Sequence, residues 1–341
     1  MNQKLGIAII GYGYWGPNLV RNFDSLPDCE VRLVVDASPE RLKLVNTRHS
    51  HMTTSTNAAA IWNDASIDAV VIATPVFTHY KLAKQALEHG KHVLLEKPMT
   101  QSAHEAKELM ELAKERGLLL MVDHTFLYTG AVRKIKELAD AGELGQLQYF
   151  DSTRINLGLF QSDINVLWDL APHDISILLH LIPEKPVSVA ATGISHTFNR
   201  LENIAYLTVK YASDFIAHFS CSWSSPVKIR TILVGGDKRM VLFNDVEPTE
   251  KVKVYDTGFE VKSHEDKNKL LVDYRVGDIY VPKLDAREAL SGMAQDFIRC
   301  IQDRTLRPVS HEGIGYDVVR ILEAAQQSMA HKGAEVTLEL Q

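Results

Sequence analysis

Cysteine is scarce in this chain: Cys29, Cys221 and Cys300 are the only three in 341 residues, odd in number and far apart. Such spacing supports neither a disulfide framework nor a C-x-x-C metal or redox site, and it makes a reducing cytoplasm the expected compartment. No apolar run approaches the roughly 18 residues that cross a bilayer. An excess of basic charge is missing too, with 37 Lys and Arg against 43 Asp and Glu and a net charge of −6. Neither nucleic acid nor an anionic membrane is therefore expected as partner. The first residues carry one lysine and run straight into a strand pattern, which is not the layout of a signal peptide. Repeats and low-complexity linkers are absent. What is present is an ordinary globular composition, 45% apolar and 23% charged, long enough for two domains.

The organising stretch is Leu5 to Asp36. It reads as a strand (5–10), a glycine turn, a helix (about 15–25) and a second strand (30–35) ending on an acid. The turn Gly11-Tyr12-Gly13-Tyr14-Trp15-Gly16 fits G-x-G-x-x-G in the strand–turn–helix context that the motif requires. Gly11 suits the tight turn, Gly13 the approach of a pyrophosphate, and Gly16 close helix–strand packing. A helix N-terminus offers N–H groups and partial positive charge to phosphates. Asp36 stands about 20 residues past Gly16, where a ribose-binding acid is expected. With no arginine directly after it, NAD is the expected cofactor.

Strand-length apolar runs then alternate with helical patterns: a helix at 39–47, a strand at 68–73, a helix at 78–88 closed by Gly90, a strand at 92–95, a Ser102/Glu105-capped helix ended by Gly117, and a strand at 118–122. Short alternation of this kind means a doubly wound parallel sheet, a Rossmann-type α/β domain over residues 1–122. Beyond it, over 123–341, the pattern predicts an α+β domain. Amphipathic helices cover 132–141 and 168–182, and a series of strands runs from 187 to 255 with turns at Ser213-Asp214 and Gly236-Asp237, forming an open, mainly antiparallel sheet. Residues 256–283 are polar and poorly periodic, which reads as a long loop. Helices return at 285–302 and 316–331.

Lys97 closes the strand 92–95 at the C-terminal edge of the sheet, where open α/β sheets bind ligands. Pro98 biases it toward extended backbone. There it can hydrogen-bond a substrate hydroxyl and stabilise a developing alkoxide, or it can be a plain surface lysine. In Trp168-Asp-Leu-Ala-Pro-His-Asp174, Asp169 and His173 are four apart and share a helix face. A carboxylate beside an imidazole fixes its tautomer, as a base taking a hydroxyl proton requires; a solvated helix pair is the plainer reading. Pro172 would fall near the helix start. A metal site from Asp169, His173 and His180 lacks a corroborating ligand cluster. Thr74, Pro75 and His79 follow a strand toward the same sheet edge. Arg154, Lys228 and Arg230 are candidates to meet a substrate diphosphate.

Taken together, the glycine turn, Asp36, the segments Asp68–Pro75 and Gly90–Pro98, His79, and the Asp169/His173 pair resemble the glucose–fructose oxidoreductase/inositol dehydrogenase (Gfo/Idh/MocA) family. The resemblance reaches the closing segment with Phe297, Pro308, Gly315, Val318, Val319, Leu322, Glu323 and Ala324. It implies catalysis by Lys97, His173 and Asp169, a Lys–Pro peptide that is often cis, and a cofactor site of Gly11, Gly13, Tyr14, Trp15, Gly16, Asp36, Thr74, Pro75, His79, Glu96 and Lys97, with no metal. Members oxidise or reduce sugars, cyclitols and nucleotide sugars. Trp15-Gly16-Pro17-Asn18 and the Trp168–Asp174 segment look most like the nucleotide-sugar branch, with chemistry at a ring carbon such as C3. The resemblance also implies a homodimer or homotetramer through the second domain's sheet. Asp123-His124 departs from the pair that many members carry, so no role is transferred to it. The alternatives are a cyclitol or free-sugar dehydrogenase, or a non-catalytic NAD-binding regulator.

Overall fold

The computed structural model describes residues 4–158, 160–161, 163–260 and 273–338. The chain packs as two compact units: Met1–Tyr128 with Arg287–Arg320, and Thr129–Ala286 with Ile321–Gln341.

In the first unit six parallel strands, β1 (Leu5–Ile10), β2 (Cys29–Val35), β3 (Thr53–Ser55), β4 (Ala69–Ile72), β5 (His92–Glu96) and β6 (Leu120–Asp123), pair in the order β3-β2-β1-β4-β5-β6. Helices α1 (Gly16–Asp24), α2 (Pro39–Arg48), α3 (Ala59–Trp62), α4 (His79–Glu88) and α5 (Ala103–Glu115) connect them. Every residue of β4 is buried, which explains its unbroken apolar sequence: a strand covered on both faces has no polar side. The order reverses beside β1, between β2 and β4. That reversal opens a crevice at the strands' C-terminal ends. The expected caps form. Ser102 Oγ accepts from Glu105 N–H at 3.2 Å, while the Glu105 carboxylate reaches back to Gln101 N–H at 3.3 Å. Gly90 and Gly117 end their helices with φ of +75° and +63°.

A linear reading places one boundary near residue 122, but the packing also assigns Arg287–Arg320 to this unit. The reason is a helix, Ala289–Gln302, whose Phe297 meets Phe23 of α1 edge-on, ring centroids 6.2 Å apart. Beside that contact Arg21 forms a bidentate pair with Glu288. Asp296 accepts from the Tyr128 hydroxyl at 2.7 Å and from Val309 N–H at 2.8 Å.

The second unit contributes α6 (Gly130–Asp140), β7 (Leu147–Leu157), α7 (Val166–Leu181), β8 (Pro186–Ile194), β9 (Ile204–Tyr211), β10 (Ile216–Ser222), β11 (Ser224–Gly236), β12 (Met240–Asn244), β13 (Val252–Tyr255), β14 (Gly258–Glu260), β15 (Asp273–Arg275), β16 (Ile279–Tyr280) and β17 (Val336–Thr337). Nine of these strands form one sheet ordered β16-β13-β12-β11-β7-β10-β9-β8-β17. Only β7 and β10 pair in parallel; the other neighbours are antiparallel. Helix α7 packs on β7, β9 and β10. Ala217, Phe219 and Cys221 are buried, while Ile216 and Tyr206 point to the open face, the alternation of a half-covered sheet.

Two expectations change here. Helix α7 begins at Val166, two residues early, because Asn165 Oδ1 caps it by accepting from Leu167 and Trp168 N–H at 3.1 and 3.2 Å. Pro172 therefore sits inside the helix and not in its first turn. The polar stretch read as a loop at 256–283 contains a ribbon, β14 with β15, and the short strand β16 on β13; its residues 261–272 lie outside the described residues.

Candidate active site

Within the first unit a cleft of about 530 Å³ lies at the ends of β1, β2 and β4. Its walls include Gly11, Gly13, Tyr14, Trp15, Asp36, Thr74 and Pro75. The three glycines of the turn have different reasons to be glycine. A Cβ on Gly11, whose φ is +102°, would stand 2.3 Å from Ala73 O, and one on Gly16 would stand 2.4 Å from Gly11 O. Those two are required by the protein's own packing. A Cβ on Gly13 would meet nothing nearer than Arg41 Nη1 at 3.7 Å. The fold does not demand glycine there, but a diphosphate resting on the backbone would. Pro17 in the first turn of α1 has no N–H, so the donors that face a phosphate are those of the loop up to Gly16. Tyr14 is almost fully exposed and stacks edge-on against Trp15 at 5.2 Å.

Asp36 is held before any ligand arrives. Its Oδ2 accepts from Tyr12 N–H at 2.7 Å and its Oδ1 from Ser38 N–H at 2.8 Å, with 6% of the residue exposed. Oδ1 keeps a second lone pair for a ribose hydroxyl. Arg41, on the first turn of α2, also lines the cleft, its Nη1 3.5 Å from Asp36 Oδ2. Arg41 is not adjacent to Asp36 in sequence, so the residues directly after Asp36 give no sign of it. The usable signal was a Ser-Pro helix start, which brings the third helical residue back over the strand end.

Thr74 and Pro75 line the cleft, with Thr74 Oγ1 2.6 Å from Thr78 Oγ1. His79 does not line it. The ring is buried, with Nδ1 3.0 Å from Pro98 O and Nε2 2.8 Å from Thr74 O, and burial holds its pKa below the ordinary value. It is placed as a tie between the β4 and β5 loops. The Lys97–Pro98 peptide is cis. Glu96 and Lys97 are partly buried and are not among the cleft's lining residues. Lys97 N–H donates to Glu96 Oε2 at 3.2 Å. Across the strand pair from Glu96 stands Asp123, and the two carboxyls are hydrogen-bonded. Burial, then mutual repulsion, raises Glu96 well above the carboxylate range; burial raises Asp123 to about 6.

In the second unit Asp169 and His173 lie one turn apart on the unbroken α7, both partly exposed. Asp169 Oδ2 accepts from Trp223 Nε1 at 3.0 Å, so the carboxylate's direction is set from β10's end. Arg154 is not a diphosphate ligand. It is 3% exposed and forms a bidentate pair with Asp174, 2.9 and 2.5 Å, which also accepts from Ser152 Oγ at 2.7 Å. Its strand alternation pointed inward, and only a buried carboxylate makes that tolerable. Arg230 pairs with Asp245 at 3.4 Å, and Lys228 is exposed. Among the described residues, no group of three His, Cys, Asp or Glu side chains is gathered as a metal site, and no helix is long and apolar enough to cross a membrane.

Residues 5–124 match the model of the oxidoreductase family with NAD-binding Rossmann fold, and residues 132–241 match the GFO/IDH/MocA C-terminal domain. The chain is 36% identical over 132 residues to the UDP-N-acetylglucosamine 3-dehydrogenase of Acidithiobacillus ferrooxidans, covering 38% of this chain and 41% of that one. It is 30% identical over 194 residues to the scyllo-inositol 2-dehydrogenase (NAD(+)) of Bacillus subtilis, covering 55% and 56%. The matches thus span about half the length of these relatives. The solved structure of the A. ferrooxidans enzyme shares the fold, with a TM-score of 0.80 and 23% identity over 96% of this chain and 99% of that one.

Proposed function

Since the chain belongs to the Gfo/Idh/MocA oxidoreductases and its first domain is an NAD-binding Rossmann domain, we propose that it moves a hydride between NAD and a ring carbon, C3, of a nucleotide-linked sugar. NAD held by Gly13, Asp36, Thr74 and Pro75 supplies the hydride acceptor or donor. Lys97 hydrogen-bonds the reacting oxygen and stabilises negative charge on it. His173 exchanges the hydroxyl proton, and Asp169, anchored by Trp223, orients the imidazole.

The observation that carries the reading is the pre-formed Asp36 and the glycine at 13 that the protein's own packing does not require, in the same unit as Lys97. The sugar-nucleotide part is supported by the Trp15-Gly16-Pro17-Asn18 motif and by the A. ferrooxidans relative; with Arg154 committed to Asp174 it gains nothing from that residue. The similarity to scyllo-inositol 2-dehydrogenase favours a cyclitol as the second reading. Three buried thiols suit a reducing cytoplasm. A homodimer or homotetramer through the open sheet face belongs to the same proposal. Its support is narrow, because Phe215, Phe219 and Trp223 are buried and the face offers Ile216, Tyr206 and the stacked His218.

The test is a panel of nucleotide sugars, hexoses, hexose phosphates and inositols, followed by NADH absorbance in both directions. Fastest turnover with a UDP- or dTDP-hexose is expected. Faster turnover of an inositol or a free hexose would replace the substrate class, and NAD binding without turnover of any of them would return the regulator.

A further inference from the structure

An ammonium, two carboxyls and the His124 and His79 imidazoles gather where β5 and β6 end, and of these only the Lys97 ammonium has a part in the proposed hydride transfer. Glu96 and Asp123 are register partners on neighbouring parallel strands, so their side chains leave the sheet on one face. Their side chains hydrogen-bond to each other, Asp123 buried and Glu96 partly so. Two ionised carboxylates cannot share such a contact, so one of them carries a proton.

The remaining partners decide which. The Thr125 hydroxyl donates to Asp123 Oδ1, a bond that favours the ionised form. Glu96 uses Oε2 to accept from Lys97 N–H, which leaves its other oxygen to hold a proton and donate to Asp123. The His124 and His79 rings add no charge. His124 is fully buried, and neither ring nitrogen has a hydrogen-bond partner among the described residues. Burial, then the nearby Lys97 and His311, hold it neutral, with its pKa down to about 3. His79, behind Pro98, is also kept below its ordinary value by burial.

We propose that Glu96 and Asp123 hold one proton between them, carried on Glu96, and act as a positioning pair that meets the Lys97 ammonium with one negative charge. Two charges would hold the ammonium more tightly than one and draw it away from a substrate oxygen. The part played by Lys97 toward substrate rests on the function proposed above; the location of the proton does not.

Two measurements on the full-length protein with NAD bound test this. The first needs no substrate: the infrared carbonyl stretch of a protonated carboxyl should be present at neutral pH and missing from Glu96→Gln. Its absence from the native protein, or its persistence in Glu96→Gln, overturns the assignment whatever the enzyme acts on. The second compares kcat on the best substrate. Gln keeps a neutral donor toward Asp123, whereas Asn at 123 cannot carry the charge. Asp123→Asn should therefore lose at least about tenfold more kcat than Glu96→Gln at saturating NAD. A larger loss in Glu96→Gln, or equal losses, overturns the proposal. Should Asp123→Asn fail to fold, the infrared comparison decides alone. A protonated Glu96 in a protein that turns over no sugar would count against the substrate reading and leave the shared proton standing.

Discussion

Replacing Asp36 by alanine removes two backbone hydrogen bonds, a bond to the ligand and the contact with Arg41. Tyr12 N–H is buried and donates to Oδ2 at 2.7 Å; orphaned, it should cost about 1–3 kcal/mol of stability. Ser38 N–H, partly exposed and bonded to Oδ1 at 2.8 Å, can turn to water and should cost little. The third interaction is with the ligand. A charge-assisted hydrogen bond to the adenosine ribose contributes about 1.5–3 kcal/mol, so the dissociation constant for NAD should rise about 10- to 150-fold. NADP should respond differently. The carboxylate that repels its 2′-phosphate is gone, and Arg41, released from a 3.5 Å contact with Asp36, can turn to meet it. The native protein should therefore prefer NAD, and Asp36→Ala should narrow or invert the gap. Calorimetric titration with both cofactors, beside urea denaturation, reads the two effects separately. Equal affinity of the native protein for NAD and NADP would refute the reasoning, as would an NAD affinity unchanged in Asp36→Ala.

The Arg154–Asp174 pair should behave as a buried ion pair: Asp174→Asn or Arg154→Met alone is expected to cost about 3–5 kcal/mol by chemical denaturation, and the double variant Arg154→Met/Asp174→Leu clearly less than the sum. Lys97→Ala and His173→Ala should each lower kcat by about 10²–10⁴ with NAD affinity nearly unchanged, and Asp169→Asn should lower it less; near-native turnover in either alanine variant would remove that residue from the mechanism. His124 has a folded pKa of about 3, below its unfolded value near 6.5, so its contribution is complete above about pH 6.5 and is lost as pH falls toward 3. The stability difference between pH 7 and pH 5 should shrink by about 2 kcal/mol in His124→Leu, measured by denaturant melts at both values. Light scattering at micromolar concentration should give a dimeric or tetrameric mass; a monomer would reject the sheet-face interface.

Local geometry made much of this protein legible in its sequence. Gly11 and Gly16 had to be glycine because backbone passes within ångströms of where a side chain would begin, and the buried parallel strands had to be apolar because both faces are covered. Turn, strand and helix at those spacings suffice for the Rossmann domain and for placing Asp36 at the end of β2. Tertiary structure decided what depends on neighbours far apart in sequence. Phe297 meets Phe23 only after the chain has passed through Thr129–Ala286 of the second unit, so a single boundary could not reveal the return of 287–320. Arg154 looked available until a carboxylate from α7 was found beside it. Asp123 had no role that a motif could assign, because its significance lies in the adjacency of β5 and β6: the sheet order sets it against Glu96, and the proton proposed between the two carboxyls requires the strands to have paired.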